Sequence, residues 1–251
     1  MARSPKKPEQ VSEEVRGRTL PFQQLTNFLL VHGGWHGSWC WSRLSSVLAA
    51  RGHEVSAPTL SGLAERGHLL GPRINLSTHI SDVVEAAQSL MAGELVLVGH
   101  SYGGVVISGA AEQLGARVAG LAYVDAFLPE DGQSCAMFMT GPPPPPDGVV
   151  LPPPAEQFGI HRPEDRDWVD RMMTPHPANA LLEPVTLRGA RERVAKKCYI
   201  LAVGRSRPAF EAAYEGVTND PTWRTFRMNT GHHPMLDEPV ELADLLETAF
   251  G

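Results

Sequence analysis

Glu94-Leu95-Val96-Leu97-Val98-Gly99-His100-Ser101-Tyr102-Gly103-Gly104 decides how this chain of 251 residues is read. The opening five residues have the length and apolar, β-branched content of a fully buried strand. Gly99 and Gly103 bracket Ser101 and permit a turn too tight for side chains there. Ser101 is therefore predicted at the tip of a strained strand-to-helix bend, its Oγ exposed at the carboxyl edge of a parallel sheet. The helix-like stretch Val105-Val106-Ile107-Ser108-Gly109-Ala110-Ala111 follows. Its N-terminus would aim unpaired N–H groups and a positive dipole end at whatever reacts with Ser101.

The same alternation extends on both sides of this stretch. Phe28-Leu29-Leu30-Val31 reads as a buried strand, Trp39 to Arg51 as an amphipathic helix, and His53-Glu54-Val55-Ser56-Ala57 as the next strand. Asn75 to Met91 supplies a helix capped by Ser77 or Thr78, and Val118 to Val124 a strand ending at Asp125. Later come the strands Cys198 to Val203 and Trp223 to Met228, then a closing helix from Pro239 to Phe250. Alternating strands and helices imply an α/β fold, a doubly wound and mostly parallel sheet of about six strands.

Between Pro129 and Arg193 the alternation stops. Five consecutive prolines, Pro142 to Pro146, precede Pro152-Pro153-Pro154 and short helix-like pieces. Proline lacks a backbone donor and cannot continue a sheet, so the segment reads as a Pro-rich helical lid inserted over the sheet edge. The expected organisation is an arm over residues 1–26, a core made of 27–128 and 194–251, and a lid over 129–193. The arm lacks periodicity and is rich in charge, which favours loose attachment.

A net charge of -6 with mixed signs gives no basic stripe for nucleic acid, and no apolar run is long enough to cross a bilayer. Residues 1 to 27 show no apolar signal-peptide region, which favours the cytoplasm. Cys40, Cys135 and Cys198 are widely spaced without a CxxC pair and read as reduced, buried thiols; no metal is implied. The sequence leaves open a homodimer.

A serine hydroxyl is a weak nucleophile near neutral pH and needs a base oriented by a carboxylate. Gly231-His232-His233-Pro234 follows the last strand, and the glycine would free the loop to carry His232 over Ser101. His233, one residue further from that glycine, is the second candidate. Asp125 closes the strand after the bend, so its side chain would emerge on the same edge, in the chain order Ser, Asp, His. Its competitors are Glu211, Glu215 and Asp220; alternatively, Asp125 only caps a turn. Oxyanion donors are expected from Tyr102 N–H and from the early loop His32-Gly33-Gly34-Trp35, through Gly34. Trp35, His100, Phe127, Met137, Phe138 and Trp168 are the expected substrate contacts, with Met139, Phe158, Met172 and Met173 as further apolar lid residues.

These pieces resemble the α/β-hydrolase superfamily, within it the short branch of methylesterases, hydroxynitrile lyases and bacterial esterase-like hydrolases. The matching stretches are His32 to Trp39, Gly99 to Gly104, Tyr123 to Gly132 and Gly231-His232, with Thr59 to Arg66 and Pro152 to Gly159 similar to the bacterial subgroup. The plant members place their acid after the penultimate strand, where this chain has none, a further reason to choose Asp125. The lyases carry a lysine and a threonine where this chain has His233 and Gly33, which disfavours cyanohydrin cleavage. The resemblance implies a cofactor-independent serine hydrolase acting on a carboxylic ester or lactone of a fairly apolar small molecule. Two rivals remain at this point: lyase, cyclase or epoxide chemistry with the same Ser-His pair, and a non-catalytic small-ligand-binding protein.

Overall fold

The computed structural model describes residues 26–90 and 93–251. The expected arm lies outside them except for Thr26, which opens the first strand. Six strands form one parallel sheet in the order β2-β1-β3-β4-β7-β8. They are β1 (Thr26–Val31), β2 (Glu54–Ser56), β3 (Glu94–Ser101), β4 (Val118–Ala126), β7 (Lys196–Ala202) and β8 (Trp223–Met228). The short pair β5 (Val149–Val150) and β6 (His176–Pro177) is antiparallel and lies apart from this sheet.

Helices α1 (Ser42–Ala50), α2 (Leu76–Ser89), α3 (Gly103–Leu114), α7 (Pro208–Thr218) and α9 (Pro239–Phe250) alternate with these strands. Strand alternation divides the apolar residues between two cores. Leu29, Leu97, Leu121 and Tyr199 pack with Val83 of α2 and Val106 of α3 on one face. Phe28, Leu30, Val96 and Ile200 pack with Leu44 of α1 and Leu246 of α9 on the other. Each fully buried aliphatic side chain contributes roughly 1.5–3 kcal/mol of transfer free energy, which is what drives both faces to be covered.

Two sequence expectations are corrected locally. The helix expected from Trp39 begins as a tight 3-10 turn, Ser38–Trp41, and becomes α-helical at Ser42. The cap of α2 is Asn75, whose side chain accepts the Thr78 N–H while Thr78 Oγ1 accepts the Asn75 N–H. Ser77 instead gives its N–H and hydroxyl to Glu183. The Asn75 amide oxygen reaches the third helical N–H from the cap position, a geometry closed to Ser77, which is already the second residue of the helix.

The chain between β4 and β7 contains β5, α4 (Pro163–Met172), β6, α5 (Ala178–Leu182) and α6 (Ala190–Arg193). Gly132 and Val185 tie its two ends, the Gly132 N–H bonding Val185 O and the Val185 N–H bonding Gln133 O, both at 2.9 Å. Among the described residues no helix is long and apolar enough to cross a membrane. No group of three His, Cys, Asp or Glu side chains is arranged among them to hold a metal ion.

Candidate active site

The strand order reverses between β1 and β3, the place where open parallel sheets present a crevice at their carboxyl ends. Ser101, the last residue of β3, has φ 53°, a left-handed conformation costly for a residue with a side chain. The neighbouring glycines make that bend possible by close approach. A Cβ on Gly103 would run into Val31 O, one on Gly104 into Phe127 O, and one on Gly99 would lie 2.6 Å from Gly103 O. The early loop is equally close: a Cβ on Gly33 would sit 3.0 Å from Ser101 Cβ.

Asp125 is positioned by an irregularity in β4. His100 pairs with Val124 and Ser101 with Ala126, so Asp125 is an extra residue with φ 43°. Such a bulge re-aims one side chain without breaking the sheet. Oδ1 of Asp125 accepts the Ala202 N–H at 3.1 Å, and Oδ2 lies 2.5 Å from His232 Nδ1. The carboxylate is fully buried and His232 is 4% exposed.

The imidazole of His232 is held on both faces, stacked on Phe210 at 5.2 Å and 9° and on Phe158 at 5.7 Å and 29°. Its main chain is fixed as well. The His232 N–H donates to Phe158 O at 2.7 Å, and His100 Nε2 donates to His232 O at 2.6 Å. With Nδ1 engaged by Asp125, Nε2 is the ring nitrogen left for proton transfer. Burial, and next the Arg207 charge, hold His232 well below the usual histidine range, so the neutral imidazole is favoured. Burial pushes Asp125 up to about 7, opposed by the Ala202 N–H and by Arg207.

Histidines also support the early loop. His36 Nδ1 donates to Gly34 O at 2.5 Å, which leaves His36 Nε2 to accept from His233 Nε2 at 2.7 Å. A carbonyl can only accept, so this chain fixes the tautomers and links the loop carrying His232 to Gly34. Tyr102, the residue before α3, gives its hydroxyl to His79 Nδ1 at 2.9 Å, since His79 Nε2 donates to Ser61 O.

A cavity of about 640 Å³ opens over this edge. Of the expected site residues, Gly34, Trp35, Ser101, Tyr102, Phe127, Phe138 and His232 line it together, and Asp125 stands behind His232. Five of the expected contacts and lid residues, His100, Met137, Trp168, Met172 and Met173, do not line it. His100 is buried beneath the His232 loop. Met137 is 65% exposed because the turn Cys135–Phe138 sends it outward and Phe138 inward. Trp168 packs edge-on against Trp39 at 4.9 Å, and Met173 lies in a buried core cluster.

His233 is buried against His36 and is not on the cavity wall. None of the rival carboxylates Glu211, Glu215 and Asp220 lines the cavity; Glu211 accepts the Arg207 N–H and Asp220 the Thr222 N–H. Sequence reasoning missed Leu181, Arg205, Arg207 and Phe210 as lining residues. A search of the loop after β7 for a carboxylate passes over its arginines, although any loop at this edge can form a cavity wall.

Residues 28–245 match the sequence profile of the alpha/beta hydrolase family, and the chain belongs to that family. A carbendazim hydrolyzing esterase of Nocardioides sp. (strain SG-4G) is 35% identical over 239 residues, spanning 88% of this chain and 98% of that protein. Methyl jasmonate esterase 1 of Vitis vinifera is 36% identical over 104 residues, 41% of this chain and 40% of that one. The solved structure of an extracellular alpha/beta-hydrolase from a Paenibacillus species superposes with a TM-score of 0.75 at 22% identity, covering 90% of this chain and 99% of that chain. At that identity the likeness concerns the fold.

Proposed function

We propose that the protein is a serine hydrolase that cleaves a carboxylic ester or lactone of a fairly apolar small molecule through Ser101, His232 and Asp125. The observation that carries this reading is the 2.5 Å contact between His232 Nδ1 and Asp125 Oδ2, with His232 and Ser101 on one cavity wall. Whole-length similarity to an esterase supports the same chemistry.

His232 Nε2 takes the Ser101 proton as Oγ attacks the carbonyl, and Asp125 stabilises the imidazolium that forms. The N–H groups of Gly34 and Tyr102 hold the oxyanion. His232 returns the proton to the departing alcohol, leaving an acyl group on Ser101. Water, deprotonated by His232, then releases the acid; no step calls for a cofactor. The segment 129–193 acts as the lid, placing Phe138, Met139 and Phe158 over the cavity. Lyase chemistry is less well supported: at the position where the lyases carry lysine, His233 is sequestered with His36 and cannot reach a bound ligand. A cytoplasmic location is supported by Cys40, Cys135 and Cys198, all buried and unpaired.

The reading is tested by following p-nitrophenyl acetate, butyrate and octanoate with the wild type and Ser101→Ala. Loss of the serine is expected to lower turnover on the order of a millionfold, to background. Undiminished hydrolysis by Ser101→Ala would overturn it, and ligand binding with no wild-type turnover would favour a binding protein.

A further inference from the structure

Arg205, exposed at the cavity mouth, and Arg207, half-buried, both line the cavity, and among the described residues lining it there is no Asp or Glu. The imbalance is local, since the chain carries 28 acidic and 22 basic residues. Among the described residues no carboxylate lies within ion-pairing distance of either arginine. Arg191 is by contrast paired with both Glu130 and Glu192.

What holds the two arginines is backbone. Arg205 Nη1 donates to Glu156 O at 3.0 Å and Arg207 Nη2 to Gln157 O at 2.7 Å. Successive lid carbonyls thus fix both side chains and use one donor of each. A guanidinium offers five N–H donors in a planar fork suited to a carboxylate. Arg207 Nε is buried with no acceptor, a cost that a bound oxyanion would remove.

Backbone electrostatics act in the same direction. Helix α7 starts at Pro208, directly after Arg207, with no side-chain cap, and Pro208, Ala209 and Phe210 line the cavity. The positive end of an 11-residue helix therefore borders the same wall, offset in part by Glu211 in its first turn, which accepts the Arg207 N–H. Elsewhere the lining is mainly apolar, with Trp35, Phe127, Phe138, Met139, Leu151 and Leu181 beside the neutral Thr140, Gln157 and Ser206. Such a cavity is built for a molecule with one greasy part and one negative part.

Building on the serine-hydrolase reading, we propose that the cavity selects esters that carry a free carboxylate remote from the scissile bond, half-esters of dicarboxylic acids being the simplest case, with that carboxylate seated on Arg205 and Arg207. The apolar chain between the two groups lies along the aromatic wall. The remote carboxylate takes no part in bond making and is released unchanged with the product.

Mono-p-nitrophenyl suberate and p-nitrophenyl octanoate differ chiefly in the terminal carboxylate, and the suberate chain is too long for that group to attack its own ester readily. The wild type is expected to favour the half-ester at least tenfold in kcat/KM at low ionic strength, with the preference shrinking in 1 M NaCl. Arg205→Gln and Arg207→Gln should each lower the ratio several-fold, and Arg205→Lys should retain part of it. The ratio is the readout, so a general loss of activity in a variant cancels. Equal or better hydrolysis of the octanoate by the wild type would overturn the inference while leaving the hydrolase reading intact. Ser101→Ala titrated with monomethyl and dimethyl suberate reads the preference without turnover. Tenfold tighter binding of the monoanion supports the proposal, and equal or weaker binding overturns it even if neither p-nitrophenyl ester is hydrolysed.

Discussion

The carbonyl of Phe158 accepts the backbone N–H of His232 at 2.7 Å, so the segment inserted between β4 and β7 holds the main chain of the proposed base. Asp237 doubles this link, with Oδ2 accepting the Gly231 N–H at 3.1 Å and Oδ1 accepting the His161 N–H at 3.0 Å. The inserted segment and the loop carrying His232 are thereby one hydrogen-bonded unit. A displacement of that segment would carry the His232 main chain with it.

The role of Gly231 follows from this contact. Its backbone is not in the left-handed region that calls for glycine, but a Cβ there would collide with Gly159 O. Close approach of the inserted segment at Gly159 is thus the reason for glycine, in place of the loop freedom expected from sequence. Gly231→Ala should push the lid turn and the His232 loop apart, costing about 1–3 kcal/mol of stability. A fall of several degrees in thermal midpoint, with at least a tenfold loss of kcat, is expected from calorimetry and ester assays. Wild-type values for both would contradict the coupling.

Asp125→Asn leaves the size of the side chain unchanged but removes the anion that, in the proposed mechanism, orients His232 and stabilises its charged form. The expected drop in kcat is about 10⁴-fold, the size seen when a triad carboxylate becomes an amide. Circular dichroism should show an intact fold. Activity near wild type in the folded variant would transfer the role to another carboxylate.

The acid limb of the rate profile belongs to the His232–Asp125 pair as a unit. Burial pushes Asp125 up to about 7 while holding His232 below its usual range. A proton taken up by the pair near pH 7 disables the base, so kcat/KM should fall as pH drops below about 7. A profile flat from pH 8 to pH 5 would contradict this electrostatic picture.

Stability should follow pH in the same direction for a different reason. Burial lowers His32 to about 3, His36 and His79 to about 4, and holds His100, His176, His232 and His233 well below 6.5. Each is depressed on folding, so the unfolded chain binds more protons below pH 6.5, and the stabilisation present above that pH is lost on acidification. Asp125 acts oppositely, because its raised value lets the native state bind a proton that the unfolded chain does not. Histidines outnumber it, and each contributes roughly 1.4 kcal/mol per pH unit once its unfolded form is charged. The urea midpoint should therefore fall steeply between pH 7 and 5; an unchanged midpoint would contradict the burial of these rings.

Much of this arrangement was legible before any coordinates. The apolar runs at Phe28, Leu95, Val118 and Cys198 marked central strands because a parallel strand covered on both faces has no polar alternation to hide it. Asp125 was legible for the same reason, lying at the end of such a run in the right chain order. What sequence did not carry is direction at single positions in irregular backbone. Met137 and Phe138 are adjacent and both apolar, and only the pitch of a four-residue turn sends one to solvent and the other into the cavity. Trp168 lies on α4, whose inner face meets Trp39 rather than the cavity, a choice made by tertiary packing. The left-handed φ of Asp125, unlike that of Ser101 between Gly99 and Gly103, has no neighbouring glycine to announce it.

Mass spectrometry of the intact protein after treatment with a fluorophosphonate, followed by peptide mapping, tests the central claim most directly. One adduct on Ser101, absent from Ser101→Ala and formed far more slowly by His232→Ala, is the expected result. An unlabelled Ser101 in protein that still hydrolyses esters, or an adduct at another residue that tracks the loss of activity, would contradict it.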